Sequence, residues 1–117
     1  MSRREKIEAM LRDDPTDTFL RYSLAMEHRG EGNVDESLRR LDDLISDKPP
    51  YVPAYFMAAQ QCADRDEVAR ARTYLRDGID EARRQNDAHA AAEMSELLAS
   101  LGSRGDDDDD LFDDDDL

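Results

Sequence analysis

Residues 15–49, PTDTFLRYSLAMEHRGEGNVDESLRRLDDLISDKP, recur in register as residues 49–83. Laid side by side, Leu24 falls on Ala58, Ala25 on Ala59, Val34 on Val68, Ser37 on Ala71, Leu41 on Leu75 and Ile45 on Ile79, each pair 34 residues apart. Within the first copy Val34, Leu38, Leu41, Leu44 and Ile45 form one stripe at the helical period. Gly30-Glu31-Gly32 separates that stripe from an earlier apolar run. The repeating unit is therefore a pair of helices joined by a tight turn, and an all-α fold follows.

Outward from the repeat, helices are predicted at about residues 16–29 and 33–46, then 52–63 and 67–84. Asp17 or Thr16 caps the first, and Asn33 caps the second while Glu36 reaches back. Asp47-Lys48-Pro49-Pro50 ends the second helix, because proline lacks the amide and disfavours α geometry in the residue before it. Residues 2–12 read as a half-unit opened by a capping box of Ser2 and Glu5, with Ile7 and Leu11 standing 34 before Leu41 and Ile45. A final helix, capped by Asp87 and running to Leu101, closes the array at about six helices. Gly78 inside a helix costs about 1 kcal/mol against alanine, so a close approach by the following helix is expected there. The resulting division is a helical domain over residues 1–102, then a flexible hinge and disordered acidic tail over 103–117.

Charged residues make up 39% of the 117 and hydrophobic ones 38%, which suits a thin-cored helical array better than an α/β domain. The net charge is −14, and residues 106–117 contribute nine aspartates and no base to it. Such a surface repels nucleic-acid phosphates and anionic membranes. Among the bases are only two lysines, Lys6 and Lys48, and aspartate outnumbers glutamate. That balance resembles the surfaces of proteins from salt-accumulating halophiles; a GC-rich genome, which favours arginine codons, is the other source of it. The single Cys62 excludes an internal disulfide, and neither a membrane-spanning run nor a leader-like apolar stretch is present, so a cytoplasmic protein is expected.

The 34-residue period, with small residues at Ala25/Ala59 and Ser37/Ala71, resembles the tetratricopeptide repeat, a helix-turn-helix unit that stacks into a solenoid. The likeness spans residues 7–101. Its large residue early in the first helix is present as Tyr55 and absent at Arg21. Its glycine between helices is Gly32 in one copy and Asp66 in the other. The proline after the second helix is Pro15 and Pro49 but becomes Arg83, so that helix should overrun its usual end. The resemblance implies a concave surface lined by the first helices of each unit, which holds a partner's peptide or helix. Carried onto this chain, its positions are Phe19, Tyr22, Met26 and Arg29, then Pro53, Phe56, Gln60 and Asp64. Family members that clamp a chaperone's C-terminal carboxylate carry Lys and Asn where Tyr22, Met26, Phe56 and Gln60 stand, so that ligand does not fit.

Catalysis is not expected. His28 and His89 lack ligand-spaced partners, and neither a zinc motif nor a phosphate-cradling glycine loop occurs. His28 falls on the slot of Cys62, and both read as structural. No metal or cofactor is implied, and the aspartate runs lack the spacing of a calcium loop. The expected function is a protein-interaction scaffold binding a partner peptide or helix on the concave face, with Tyr22 and Phe56 as anchors. The alternative is a self-associating module whose aromatic face is a homodimer interface. A holdase kept soluble by its tail is a third reading, and the tail could also bring Leu111-Phe112 back onto its own groove.

Overall fold

The structure, a computed structural model, describes the backbone of residues 1–113 and the side chains of residues 1–102. Among the described residues there are six α-helices and no strand: α1 (Arg3–Asp13), α2 (Thr18–Gly30), α3 (Val34–Ile45), α4 (Val52–Asp64), α5 (Val68–Arg84) and α6 (Ala88–Asp113). The 34-residue period survives intact in the helix starts, with Thr18 matched by Val52 and Val34 by Val68. The chain divides into two compact units, Met1–Ala54 and Tyr55–Leu117.

In the first unit α1 packs on α2, and α2 on α3. The capping box forms as expected: the Glu5 amide donates to the Ser2 hydroxyl at 3.1 Å, and the Ser2 amide donates to the Glu5 carboxylate at 2.9 Å. Arg4 ties α1 to the end of α2 through its Nε, which donates to both carboxylate oxygens of Glu31, at 2.9 and 3.1 Å. Asp17 caps α2 by accepting from the Leu20 amide at 2.8 Å. Ile7, Leu24, Ala25, Leu38, Leu41 and Leu44 are all buried. Ser37 and Ala25 are fully buried small residues, and small side chains at such positions let helices approach closely. The expected cap at Asn33 does not form: its side chain makes no capping bond, and its backbone, at φ −88° and ψ 67°, departs from the extended geometry of the working caps Ser2 and Asp17. Glu36 is drawn away from the backbone by two guanidiniums, Arg39 at 2.6 Å and Arg40 at 2.7 Å, and such charge-assisted bonds outcompete a neutral amide donor.

In the second unit α5 packs on α6. Its 17 residues against the 12 of α3 match the overrun expected from Arg83 in place of proline. Asp87 caps α6 by accepting from the Ala90 amide at 3.1 Å. Gly78 sits where the chain has no room: a Cβ there would lie 2.6 Å from the Met94 sulfur and 2.6 Å from the Tyr55 Cβ. The close approach expected of α6 is present, and α4 makes a second one. Arg72 is buried and donates to the Leu101 carbonyl at 3.1 Å. Rather than ending at Leu101, α6 runs on to Asp113 through the glycines expected to form a hinge. Extending an existing helix gains one hydrogen bond for each residue fixed, so glycine weakens the extension without stopping it. Residues 114–117 of the expected tail lie outside the described residues, as does any placement of the Leu111 and Phe112 side chains.

One turn recurs three times. The Asn33 amide donates to the His28 carbonyl, the Glu67 amide to the Cys62 carbonyl and the Asp87 amide to the Ala82 carbonyl, each at 2.8 Å. The residue before each donor has a left-handed backbone: Gly32 at φ 84°, Asp66 at φ 61° and Asn86 at φ 62°. This is the Schellman closure, which satisfies the last carbonyls of one helix while reversing the chain. Its recurrence at Gly32 and Asp66 explains how the second copy keeps the turn after losing the glycine.

Candidate functional site

Helix α2 carries more apolar residues than one stripe can hold. Leu24 and Ala25 go to the buried side, and His28 joins them. Phe19, Tyr22, Met26 and Arg29, spaced i, i+3, i+7 and i+10, follow a second stripe. Along it Phe19 is 71% exposed, while Tyr22, Met26 and Arg29 are half-buried.

Tyr22 is held by a residue outside the expected set. Tyr51, just before α4, meets it edge to face, with ring centroids 5.4 Å apart and planes at 66°. The approach suits the opposed charges of ring edge and ring face. Burial, then the neighbouring Tyr51, pushes the Tyr22 phenol above its ordinary value. Tyr51 is positioned by its own amide, which donates to the Leu44 carbonyl at 3.0 Å at the end of α3. Arg29 forms no ion pair among the described residues, whereas Arg21 on the same helix is taken up by a bidentate pair with Asp47 at 2.7 and 3.2 Å. Arg21 thus serves structure, and Arg29 keeps an available charge beside the aromatic pair.

The remaining expected residues lie on α4. Pro53 is exposed in its first turn, and Asp64 is exposed at its end. Phe56 and Gln60 are half-buried, one turn apart in the second unit. The structure therefore assembles the Phe19, Tyr22, Met26 and Arg29 stripe within the first unit and the Phe56 and Gln60 pair within the second.

The two candidates for chemistry sit in packing. Cys62 is fully buried. His28 is 8% exposed, and neither of its ring nitrogens has a hydrogen-bond partner among the described residues. Among the described residues no group of three or more His, Cys, Asp or Glu is placed to hold a metal ion, and no helix is long and apolar enough to cross a membrane.

No protein-family model matches the chain, and neither does any curated protein. Among solved structures it is similar to the solution structure of protein BPP2914 from Bordetella parapertussis, a Northeast Structural Genomics Consortium target. The two align with a TM-score of 0.76 over 90% of this chain and 91% of that one, at 22% identity. At that identity the likeness is one of fold.

Proposed function

We propose that the chain is a non-enzymatic, tetratricopeptide-type scaffold that binds a peptide or helix of a partner protein through the α2 stripe of its first unit. The observation that carries this reading is Phe19, a large aromatic 71% exposed beside the buttressed Tyr22–Tyr51 pair. Aromatic side chains with few rotatable bonds dominate interface energies, and a ring fixed before binding loses little freedom on contact. The helix starts set 34 apart and the repeated turn support the repeat assignment.

The test is affinity capture with wild type and with Phe19→Ser/Tyr22→Ala, followed by titration of the captured segment as a synthetic peptide. The expected result is a loss of affinity of about thirtyfold, which corresponds to ~2 kcal/mol, with helicity unchanged. Equal capture by both baits would remove the α2 stripe from the reading. Capture of the chain alone would move the weight to self-association through this face.

The aspartate-rich, lysine-poor surface fits a cytoplasm of high ionic strength. At molar KCl the Debye length falls to ~3 Å and self-repulsion is screened. A thermal midpoint that climbs from low to molar KCl is expected, and a flat response would sink the halophilic reading.

A further inference from the structure

A second surface lies in the groove between α5 and α6 of the second unit, a cleft of about 430 Å³ lined by Arg76, Ile79, Asp80, Arg83, Ser95 and Leu98. Ile79 is buried and Leu98 half-buried, so the floor is apolar. Arg76 and Arg83 are exposed at the rim, and neither has an ion-pair partner among the described residues. Elsewhere on a chain of net charge −14, Arg4, Arg21, Arg39, Arg40, Arg70 and Arg84 are each matched with a carboxylate. The one carboxylate in the groove, Asp80, has the Arg84 guanidinium close enough to feel its field.

Arg76, Ile79 and Arg83 are spaced i, i+3, i+7, which places two cations about 10 Å apart along the helix with an apolar residue between them. The acidic segment carries the complementary series in its sequence, since Asp109, Phe112 and Asp116 have the same spacing. On a helix those three share one stripe. We propose that the groove between α5 and α6 receives the acidic C-terminal segment, residues 106–117, of a second copy of this chain. A chain's own segment does not reach its own groove: α6 is helical through Asp113, which carries position 112 about 21 Å along its axis beyond Leu98. A reciprocal exchange gives each groove one segment and closes as a two-fold dimer. This surface is distinct from the α2 stripe, and its failure leaves the reading of that stripe untouched.

The experiment is sedimentation equilibrium on three full-length proteins: wild type, Arg76→Gln/Arg83→Gln, and Leu111→Ser/Phe112→Ser. Wild type is expected to dimerise, and each variant to raise the dimer dissociation constant by about tenfold or more. Circular dichroism checks that both variants keep the helicity of wild type. Mixing the two variants provides the sharper arm. One contributes an intact segment and the other an intact groove, so a hetero-pair keeps one of the two contacts. The mixture should associate more tightly than either variant alone. A wild type that stays monomeric, a dimer that survives either variant, or a mixture no tighter than its components would each overturn the proposal.

Discussion

The Tyr55 Cβ would stand 2.6 Å from a methyl group added at Gly78. In the first copy of the repeat the same two positions hold Arg21 and a fully buried Leu44, so bulk has moved from one helix of the pair to the other. Arg21 leaves the packing to pair with Asp47, and Leu44 fills the interior. In the second copy the large ring belongs to Tyr55, and only glycine fits beneath it.

Gly78→Ala is therefore expected to destabilise the protein by about 1–3 kcal/mol, although alanine is the better helix former by about 1 kcal/mol. Tyr55→Ala should not rescue it, because alanine keeps the Cβ that makes the contact. Met94→Ala should relieve only the contact with sulfur. Urea denaturation of the single and double variants checks this. A Gly78→Ala protein more stable than wild type would mean that helix propensity alone governs the site.

Much of this packing is legible in the sequence because it is local. The 34-residue offset, Gly78 and the lost proline at Arg83 all act within one helix or its neighbour, and each appears where periodicity puts it. Contacts set by competition or by linkers were not legible. The capping box at Asn33 loses Glu36 to Arg39 and Arg40, a competition that periodicity does not reveal. Tyr51 lies between two helices, so no stripe pointed to its pairing with Tyr22. Arg72 occupies the slot of Leu38, where a stripe argument expects an apolar residue. It is buried because its guanidinium reaches the carbonyls of Leu101 and Gly102. Of the site, Phe19, Tyr22, Met26 and Arg29 came from the repeat resemblance, but the exposure of Phe19 and the lack of an ion pair for Arg29 among the described residues needed the structure.

Three turns with one geometry and three different residues make a controlled comparison. Left-handed backbone costs a residue with a Cβ more than it costs glycine, and asparagine and aspartate bear it better than most. Asn86→Gly should stabilise by about 0.5–1 kcal/mol, while Gly32→Ala should cost about 1 kcal/mol or more. Asp66→Gly should gain less than Asn86→Gly, because the Asp66 residue makes a further interaction that the change can forfeit. Thermal midpoints of the three variants rank the turns directly. Equal shifts at Asp66 and Asn86 would show that backbone conformation alone sets the cost.

His28 is a polar ring in a slot that the second copy fills with Cys62, and both nitrogens are buried without partners among the described residues. A buried polar group left unmatched costs about 1–3 kcal/mol, whereas an apolar residue of similar size avoids that cost. His28→Leu should raise stability by about 1–2 kcal/mol. His28→Gln, which keeps a donor and an acceptor in the same place, should not. Chemical denaturation separates the two, and a destabilised His28→Leu would indicate that the ring is matched by packing that leucine cannot reproduce.

Glu36 gives the fold a predictable response to acid. Hydrogen bonding from Arg39, followed by the nearby charges of Arg39 and Arg40, pulls its carboxyl down from 4.5 to about 2. In the unfolded chain the carboxyl returns to its ordinary value, so between those two values the unfolded state binds more protons than the native one. Its contribution to stability is therefore complete above the unfolded value and disappears as pH falls through the folded one. The pair is exposed, so solvent screening keeps the effect modest. Measured by urea denaturation, the stability difference between wild type and Glu36→Gln should be constant above pH 4.5, shrink below it and be gone near pH 2. In molar KCl the difference should shrink without vanishing, because salt screens charges more than ~3 Å apart and leaves the hydrogen bonds from Arg39 and Arg40, at 2.6 and 2.7 Å, in place. A difference that persists at pH 2 would mean that Glu36 acts through packing or hydrogen bonds that glutamine cannot replace, and not through its charge.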